Sequence, residues 1–254
     1  MAAALVGCSG WEYRDWRGVV YPDRLPKRSW LPWYAEHYPA VEVNGTFYGL
    51  PAPTSVERWR DAVPDDFCFA LKLSSFGTHR KHLREPEWWL PRFTERAVLL
   101  GPKLGVVLVQ LPPRWRADPT RLDQFLEEAA RHPVRRWAVE LRDPSWLRDD
   151  VYDVLKRHGA ALVWHDLLPD HPLVATADFR YVRFHGPNAL EHPYAGRYPD
   201  EALKRWARRL RRELDDGCDV HAYFNNDIGG AGAHDATRLH ELLTRPPRRS
   251  RQSA

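Results

Sequence analysis

Six short runs of apolar and β-branched residues in this chain each end on charged, amide or aromatic side chains. They are AVEVNGTFY (40–48), FCFALKLSS (67–75), GVVLVQLPP (105–113), WAVELRDPSW (137–146), YVRFHGPN (181–188) and VHAYFNND (220–227). Helix-like stretches separate most of them; in one, Leu122, Phe125, Leu126 and Ala129 recur at helical spacing. A repeated order of strand, polar tip and helix is how a (β/α)8 barrel looks in sequence. In that fold the C-terminal ends of the strands form the active-site face. The pattern therefore constrains the fold and the place to look for chemistry together.

Eight strands are expected, at about 4–8, 40–44, 67–73, 104–110, 136–141, 160–164, 180–185 and 218–224. The run 104–110 is unbroken and apolar, which suits a strand covered on both faces of a parallel sheet. Helices are expected near 30–38, from Thr54 onward, and near 90–100, 119–131, 149–158, 199–215 and 232–243. Thr54 is read as an N-cap, with Glu57 three residues on completing a capping box. Gly159 is read as a helix C-cap. Only over 165–179 does the alternation weaken. The chain has 254 residues, near the usual size of one such barrel. A single TIM-barrel domain over 1–244 is expected, followed by a basic tail at 245–254. That tail has four Arg, no acid and nothing apolar to bury, so it is expected to be disordered.

The formal net charge is +4, and much of it lies in the tail and in the helix-like segment 202–216. A basic helix face is usually solvated, and nucleic-acid contact is the functional alternative. Cys8, Cys68 and Cys218 show no CxxC spacing and are read as buried free thiols within strands. That usage fits a reducing, cytoplasmic location. The N-terminus lacks a basic region and a long apolar stretch, so it reads as the first strand rather than a signal peptide. No run is long enough to span a bilayer, and no membrane partner is expected.

Period-two geometry sorts the tip residues by face. Glu42 shares a face with Asn44, Glu140 with Arg142, Arg183 with His185, and Tyr223 with Asn225. Lys72 shares one with Ala70, and Gln110 with Leu108. The residues between, such as Val43, Val139, Val182 and Phe224, are apolar and suit packing against helices. The polar set is therefore expected to point into the barrel mouth. It holds two acids, three permanent cations (Lys72, Arg142 and Arg183) and the switchable His185. Two ion pairs would leave one cation over, which favours an anionic ligand such as a carboxylate or phosphate. The competing reading is a closed ion-pair network that only seals the barrel.

Several of these tips, in order, resemble the domain-of-unknown-function 72 family, the YecE-like proteins. The resemblance rests on S-G-W-x-Y-x-x-W at Ser9–Trp16, Tyr21-Pro22, E-x-N-x-T-F-Y at Glu42–Tyr48 and F-x-x-K at Phe69–Lys72. It continues through Thr78-His79, Gln110-Leu111-Pro112, E-L-R-x-x-S-W at Glu140–Trp146, R-x-H-G at Arg183–Gly186 and Y-F-N-N at Tyr223–Asn226. It covers about residues 5–243 and implies a TIM barrel. It implies no activity. The family tail often carries an Asn where this chain has Asp235.

Glu140 and Lys72 are the expected acid/base pair, with His185 able to replace either. Arg142 and Arg183 suit forked binding of an oxyanion. Trp11, Glu42, Asn44, Tyr48, His79, Gln110, Tyr223, Asn225 and Asn226 complete the expected substrate contacts; Ser9 is read as a ligand contact at most. Gly186, Gly229 and Gly230 lie in the loops after strands seven and eight, where many TIM barrels hold a phosphate on backbone N–H groups. No cofactor is expected. A divalent metal among His79, Glu140, His165, Asp166 and His185 is the alternative, without compact ligand spacing. Three functions remain open at this point. One is an enzyme acting by acid/base chemistry on a small anionic substrate. The second is a metal-dependent phosphoesterase or endonuclease-like protein that uses the basic helix on nucleic acid. The third is a non-catalytic ligand-binding barrel.

Overall fold

A computed structural model describes residues 2–244. The expected tail at 245–254 lies outside the described residues. Eight strands run in chain order: β1 (Ala4–Cys8), β2 (Ala40–Val43), β3 (Cys68–Lys72), β4 (Leu104–Gln110), β5 (Trp137–Glu140), β6 (Ala161–His165), β7 (Phe179–Phe184) and β8 (Asp219–Phe224). Each pairs in parallel with the next, and β8 closes on β1 to complete the barrel. The helices are α1 (Trp30–His37), α2 (Gly45–Tyr48), α3 (Pro53–Asp61), α4 (Pro86–Ala97), α5 (Pro119–Ala129), α6 (Asp149–Arg157), α7 (Asp200–Asp215) and α8 (Ala231–Thr244). Between β6 and β7 no helix forms among the described residues, which is where the sequence alternation weakens.

Side-chain alternation divides the apolar residues into two cores. Ala40, Ala70, Leu108, Ala138, Val163, Tyr181 and Tyr223 fill the barrel interior. Val41, Phe69, Val107, Val139, Leu162, Val182 and Phe224 face outward and pack in the larger core with helical residues. Small residues on β2, β3, β5 and β6 leave room for the two tyrosines inside. That parity sends the residues at the strand ends into the mouth.

Three local expectations are corrected. The capping box at Thr54 is absent: α3 starts at Pro53, its N-cap is Ala52, and no side chain caps it. Proline at the first turn has its φ already set and needs no capped N–H. The helix after β3 begins at Pro86 rather than near 90, again on a proline. Cys218 lies just before β8 and is half-buried, whereas Cys8 and Cys68 are buried in strands. Residues 45–48, which continue the apolar run, coil into α2 instead of extending. Thr46 Oγ1 drives this by bonding both the Val43 carbonyl at 2.9 Å and the Lys72 carbonyl at 2.6 Å.

The β1–β2 seam depends on a side chain. Only Gly7↔Ala40 and Cys8↔Val41 are in register there. Tyr34 of α1 inserts its hydroxyl, which accepts from the Cys8 N–H at 2.7 Å and donates to the Ala40 carbonyl at 3.0 Å. A Cβ on Gly7 would stand 1.8 Å from that carbonyl oxygen, so the seam admits only glycine. Tyr34→Phe leaves a buried N–H and a buried C=O unpaired. It is expected to lower the free energy of unfolding by about 1–3 kcal/mol in urea denaturation. An unchanged midpoint would show that the strands can close the gap directly.

Candidate functional site

The layer above Tyr181 and Tyr223 is charged and buried. Glu42 and Glu140 are fully buried, and Arg183 is 1% exposed. Arg183 donates from Nε and Nη2 to Glu42, at 2.9 and 2.7 Å, and from Nη1 to Glu140 Oε2 at 2.6 Å. Tyr181 donates its hydroxyl to Glu42 Oε2 at 2.7 Å. Gln110, in register with Glu140, accepts from Arg183 Nη1 at 3.4 Å. One arginine thus bridges both acids across the barrel. Arg142 Nε approaches Glu140 Oε1 to 2.6 Å, as an ion pair rather than an aligned hydrogen bond.

Burial alone would raise the Glu140 carboxyl. Arg183 and Arg142 together outweigh burial and hold it well below the usual carboxylate range. A carboxylate held this way is a weak base. Glu140 meets two guanidinium groups, Arg183 on Oε2 and Arg142 on Oε1.

Lys72 has the opposite situation. It is 8% exposed and forms no ion pair among the described residues. Its ammonium rests 4.1 Å from the centre of the Phe47 ring, an arrangement of cation over π face. Burial, and then the Arg183 charge, pull it from 10.5 to about 8, despite partial compensation from Glu140 and Glu42. Arg142 uses only Nε, so its two Nη groups have no protein acceptor among the described residues. The mouth thus carries two cationic donors without acceptors.

His185 is fixed by its neighbours. Its Nδ1 lies 2.9 Å from Asp166 Oδ1, and its Nε2 lies 3.3 Å from Arg183 Nη1. A guanidinium only donates, so Nε2 accepts and Nδ1 carries the proton. Asp166 also accepts the Tyr198 hydroxyl. Burial keeps His185 below its ordinary value although the Asp166 bond pulls upward. His165 donates from Nε2 to the Leu141 carbonyl at 2.8 Å and accepts the Leu167 N–H, and burial takes it down to about 4. Both rings are neutral and committed. Among the described residues no group of three or more His, Cys, Asp or Glu side chains is placed to hold a metal ion.

The remaining expected residues divide between places. His79 lies near Lys72: burial and then the Lys72 charge lower it to about 4, and its ring meets Phe47 edge-on. Tyr223 is buried deeper, beside Tyr181. Asn225 is half-buried at the end of β8, with its N–H on the Phe184 carbonyl. Trp11 and Asn44 line a separate cleft at the β1 and β2 tips. Tyr48 is 83% exposed on the rim. Asn226 points away from the mouth, because its amide donates to Asp235 at 2.9 Å and to the Gly196 carbonyl at 2.8 Å.

The expected phosphate cradle is filled by the chain itself. The Gly186 N–H donates to Tyr198, that of Gly229 to the Asp15 carboxylate at 2.8 Å, and that of Gly230 to the Asp227 carbonyl. An internal carboxylate sits where an anion was expected. On α7, Arg205, Arg208 and Arg212 are exposed, while Arg209 packs over Trp164 at 5.0 Å. Residues missed from sequence include Tyr181, Phe47, Trp59 and Tyr198; alternation could have found Tyr181, one step below Arg183.

A family model described as "Protein of unknown function DUF72" matches residues 5–254. The chain belongs to this family. It is 28% identical to the UPF0759 protein YunF of Bacillus subtilis over 278 residues, covering 94% of each chain. It is 36% identical to YecE of Escherichia coli over 142 residues, which span 56% of this chain and 49% of YecE. A DUF72 crystal structure from Thermotoga maritima superposes with a TM-score of 0.83 at 29% identity, over 96% of this chain and 100% of that one. Another, from Enterococcus faecalis, shares the fold with a TM-score of 0.79 at 24% identity, over 97% and 96% of the two chains. The DUF72 description names no activity, so the chemistry has to be argued from the mouth. No helix of the described residues is long and apolar enough to cross a membrane.

Proposed function

We propose that the barrel mouth is the active site of an enzyme that transfers a proton on a small anionic substrate, a carboxylate or a phosphate ester. The observation that carries this reading is Lys72, a buried ammonium that has no acid partner among the described residues and lies in the same mouth as Arg142, whose Nη groups are likewise unmatched among them. A buried cation without a counter-ion weakens a fold, and such sites are where ligands supply the missing charge. With its pKa near 8, Lys72 exists as both ammonium and amine around neutrality, which suits general acid/base work. Arg142, held on Glu140, offers a planar fork to an oxyanion and to charge that develops on it. Glu140 and Glu42 hold Arg183 and Arg142 in place rather than reacting.

Sulfate tests the reading, since its charge is constant between pH 6 and 10. Lys72 is cationic below about 8 and neutral above. Calorimetric titration is expected to show sulfate binding that is strong at pH 6.5 and weakens at least tenfold by pH 10. In Lys72→Met the affinity is low and flat with pH. Binding that ignores pH across this range, or no binding, would sink the proposal.

A further inference from the structure

Two buried polar atoms at the β1 and β2 tips have no partner among the described residues. Ser9 is fully buried, and its Oγ meets no donor or acceptor. Asn44 donates from Nδ2 to the Ser9 carbonyl at 2.9 Å, which leaves its buried Oδ1 as an unmatched acceptor. Both residues line a cavity of 270 Å³. Buried polar groups are nearly always paired, and these two orphans belong to residues that line one cavity, so a ligand toward which either side chain turns would satisfy it.

The other walls define the ligand. Trp11 is 6% exposed and meets Trp59 edge-on, with ring centres 5.6 Å apart. Tyr13 adds a third ring, anchored by its hydroxyl on the Ser9 carbonyl at 2.6 Å. A dry cavity of roughly 150 Å³ holds one benzene. This one therefore has room for a ring with substituents. Its polar side asks for a donor toward Asn44 Oδ1 and accommodates either role at Ser9 Oγ. Adjacent ring hydroxyls meet both demands, and the C–H faces of such a ring suit indole walls.

The cleft also adjoins Lys72. Asn44 and Gly45 line it, and the same turn continues through Thr46, bonded to the Lys72 carbonyl, and Phe47, packed on the Lys72 ammonium. We propose that this cleft is a subsite for one hydroxylated, sugar-like ring whose attached carboxylate or phosphate reaches Lys72. The anionic half rests on the function proposed above; the ring half stands on the cleft alone.

Saturation-transfer NMR with D-glucose 6-phosphate, D-ribose 5-phosphate and D-glucuronate tests it, with sulfate as the anion-only probe. At least one sugar probe is expected to receive saturation on its ring protons. Ser9→Ala and Asn44→Ala should weaken that probe at least tenfold and leave sulfate affinity unchanged. Ser9→Ala removes a hydroxyl with no protein bond, so its melting temperature should match the parent and exclude a folding artefact. Sulfate binding without ring contact from any probe, or full affinity in both variants, overturns the subsite and spares the Lys72 reading. Ring contact with no response to Lys72→Met, and no sulfate binding, overturns the Lys72 reading and spares the ring subsite.

Discussion

Arg183→Leu is expected to destabilise the protein by about 3–5 kcal/mol at pH 7.5, the usual cost of removing one partner from a buried ion pair. For a domain of this size that corresponds to a fall in melting temperature of about 10 °C. The substitution leaves Glu42 and Glu140 fully buried without the guanidinium that meets both. The pH dependence gives the sign. In the parent, Glu140 titrates below its unfolded value, so its contribution is present above pH 4.5 and is lost as pH falls through the depressed folded value. In Arg183→Leu the same carboxyl is desolvated with only Arg142 beside it, and protonation relieves it. The gap between parent and variant should therefore be widest above pH 5 and narrow toward pH 4, read by urea denaturation at both pH values. Replacing Arg183, Glu42 and Glu140 together by Met, Gln and Gln should recover much of the loss, because no buried carboxylate is then left without its cation; Arg142, which loses Glu140, is nearer the solvent. A gap that does not depend on pH would mean that Arg183 acts through packing volume and not through its charge.

The faces of the mouth were legible because strand geometry repeats every two residues, whatever the barrel's details. Glu42, Lys72, Gln110, Glu140, Arg183 and His185 all follow that parity into the interior. Which of them pair was not legible. Pairing depends on strand tips brought together across the barrel: Glu42 and Arg183 are 141 residues apart in the chain. Counting charges correctly left one cation over, but only geometry shows that Arg183 spans both acids and that Lys72 is the remainder. The glycine loops misled for a related reason. Gly229 sits where a phosphate loop would, yet the acceptor on its N–H is Asp15, supplied from the first loop. Asn226 differs from Asn225 by one residue and hence by a face, and it serves the α8 contact instead of the mouth. Trp11 and Asn44 were expected ligand contacts and Ser9 a ligand contact at most, but the unpaired atoms of Ser9 and Asn44 were not legible, because an unpaired atom is defined by what surrounds it in space.

Lys72→Met is expected to abolish turnover while making the protein more stable. Methionine keeps the length of the stem and a favourable contact with the Phe47 ring but removes the charge. The folded state lowers Lys72 from 10.5 to about 8, so it disfavours the ammonium. At about 1.4 kcal/mol per pKa unit, the parent gives up roughly 3–4 kcal/mol at pH 7. That penalty is complete below pH 8, fades between 8 and 10.5, and is absent above. The variant's advantage should follow the same course, largest at pH 7 and gone near pH 10.5 in thermal or urea unfolding. For activity, the parent incubated in D2O with a pool of small carboxylates and phosphate esters should introduce deuterium into its substrate, detected by mass. Loss of a general acid/base costs about a hundredfold or more, so Lys72→Met should show exchange at background. Arg142→Lys should retain the exchange at raised substrate concentration, because it keeps the charge and loses only the planar fork. A Lys72→Met protein that exchanges deuterium as fast as the parent would return the proton-transfer role to His185. A variant that is less stable at pH 7 would show that Lys72 is paired in solution and belongs to the sealing network of the barrel top.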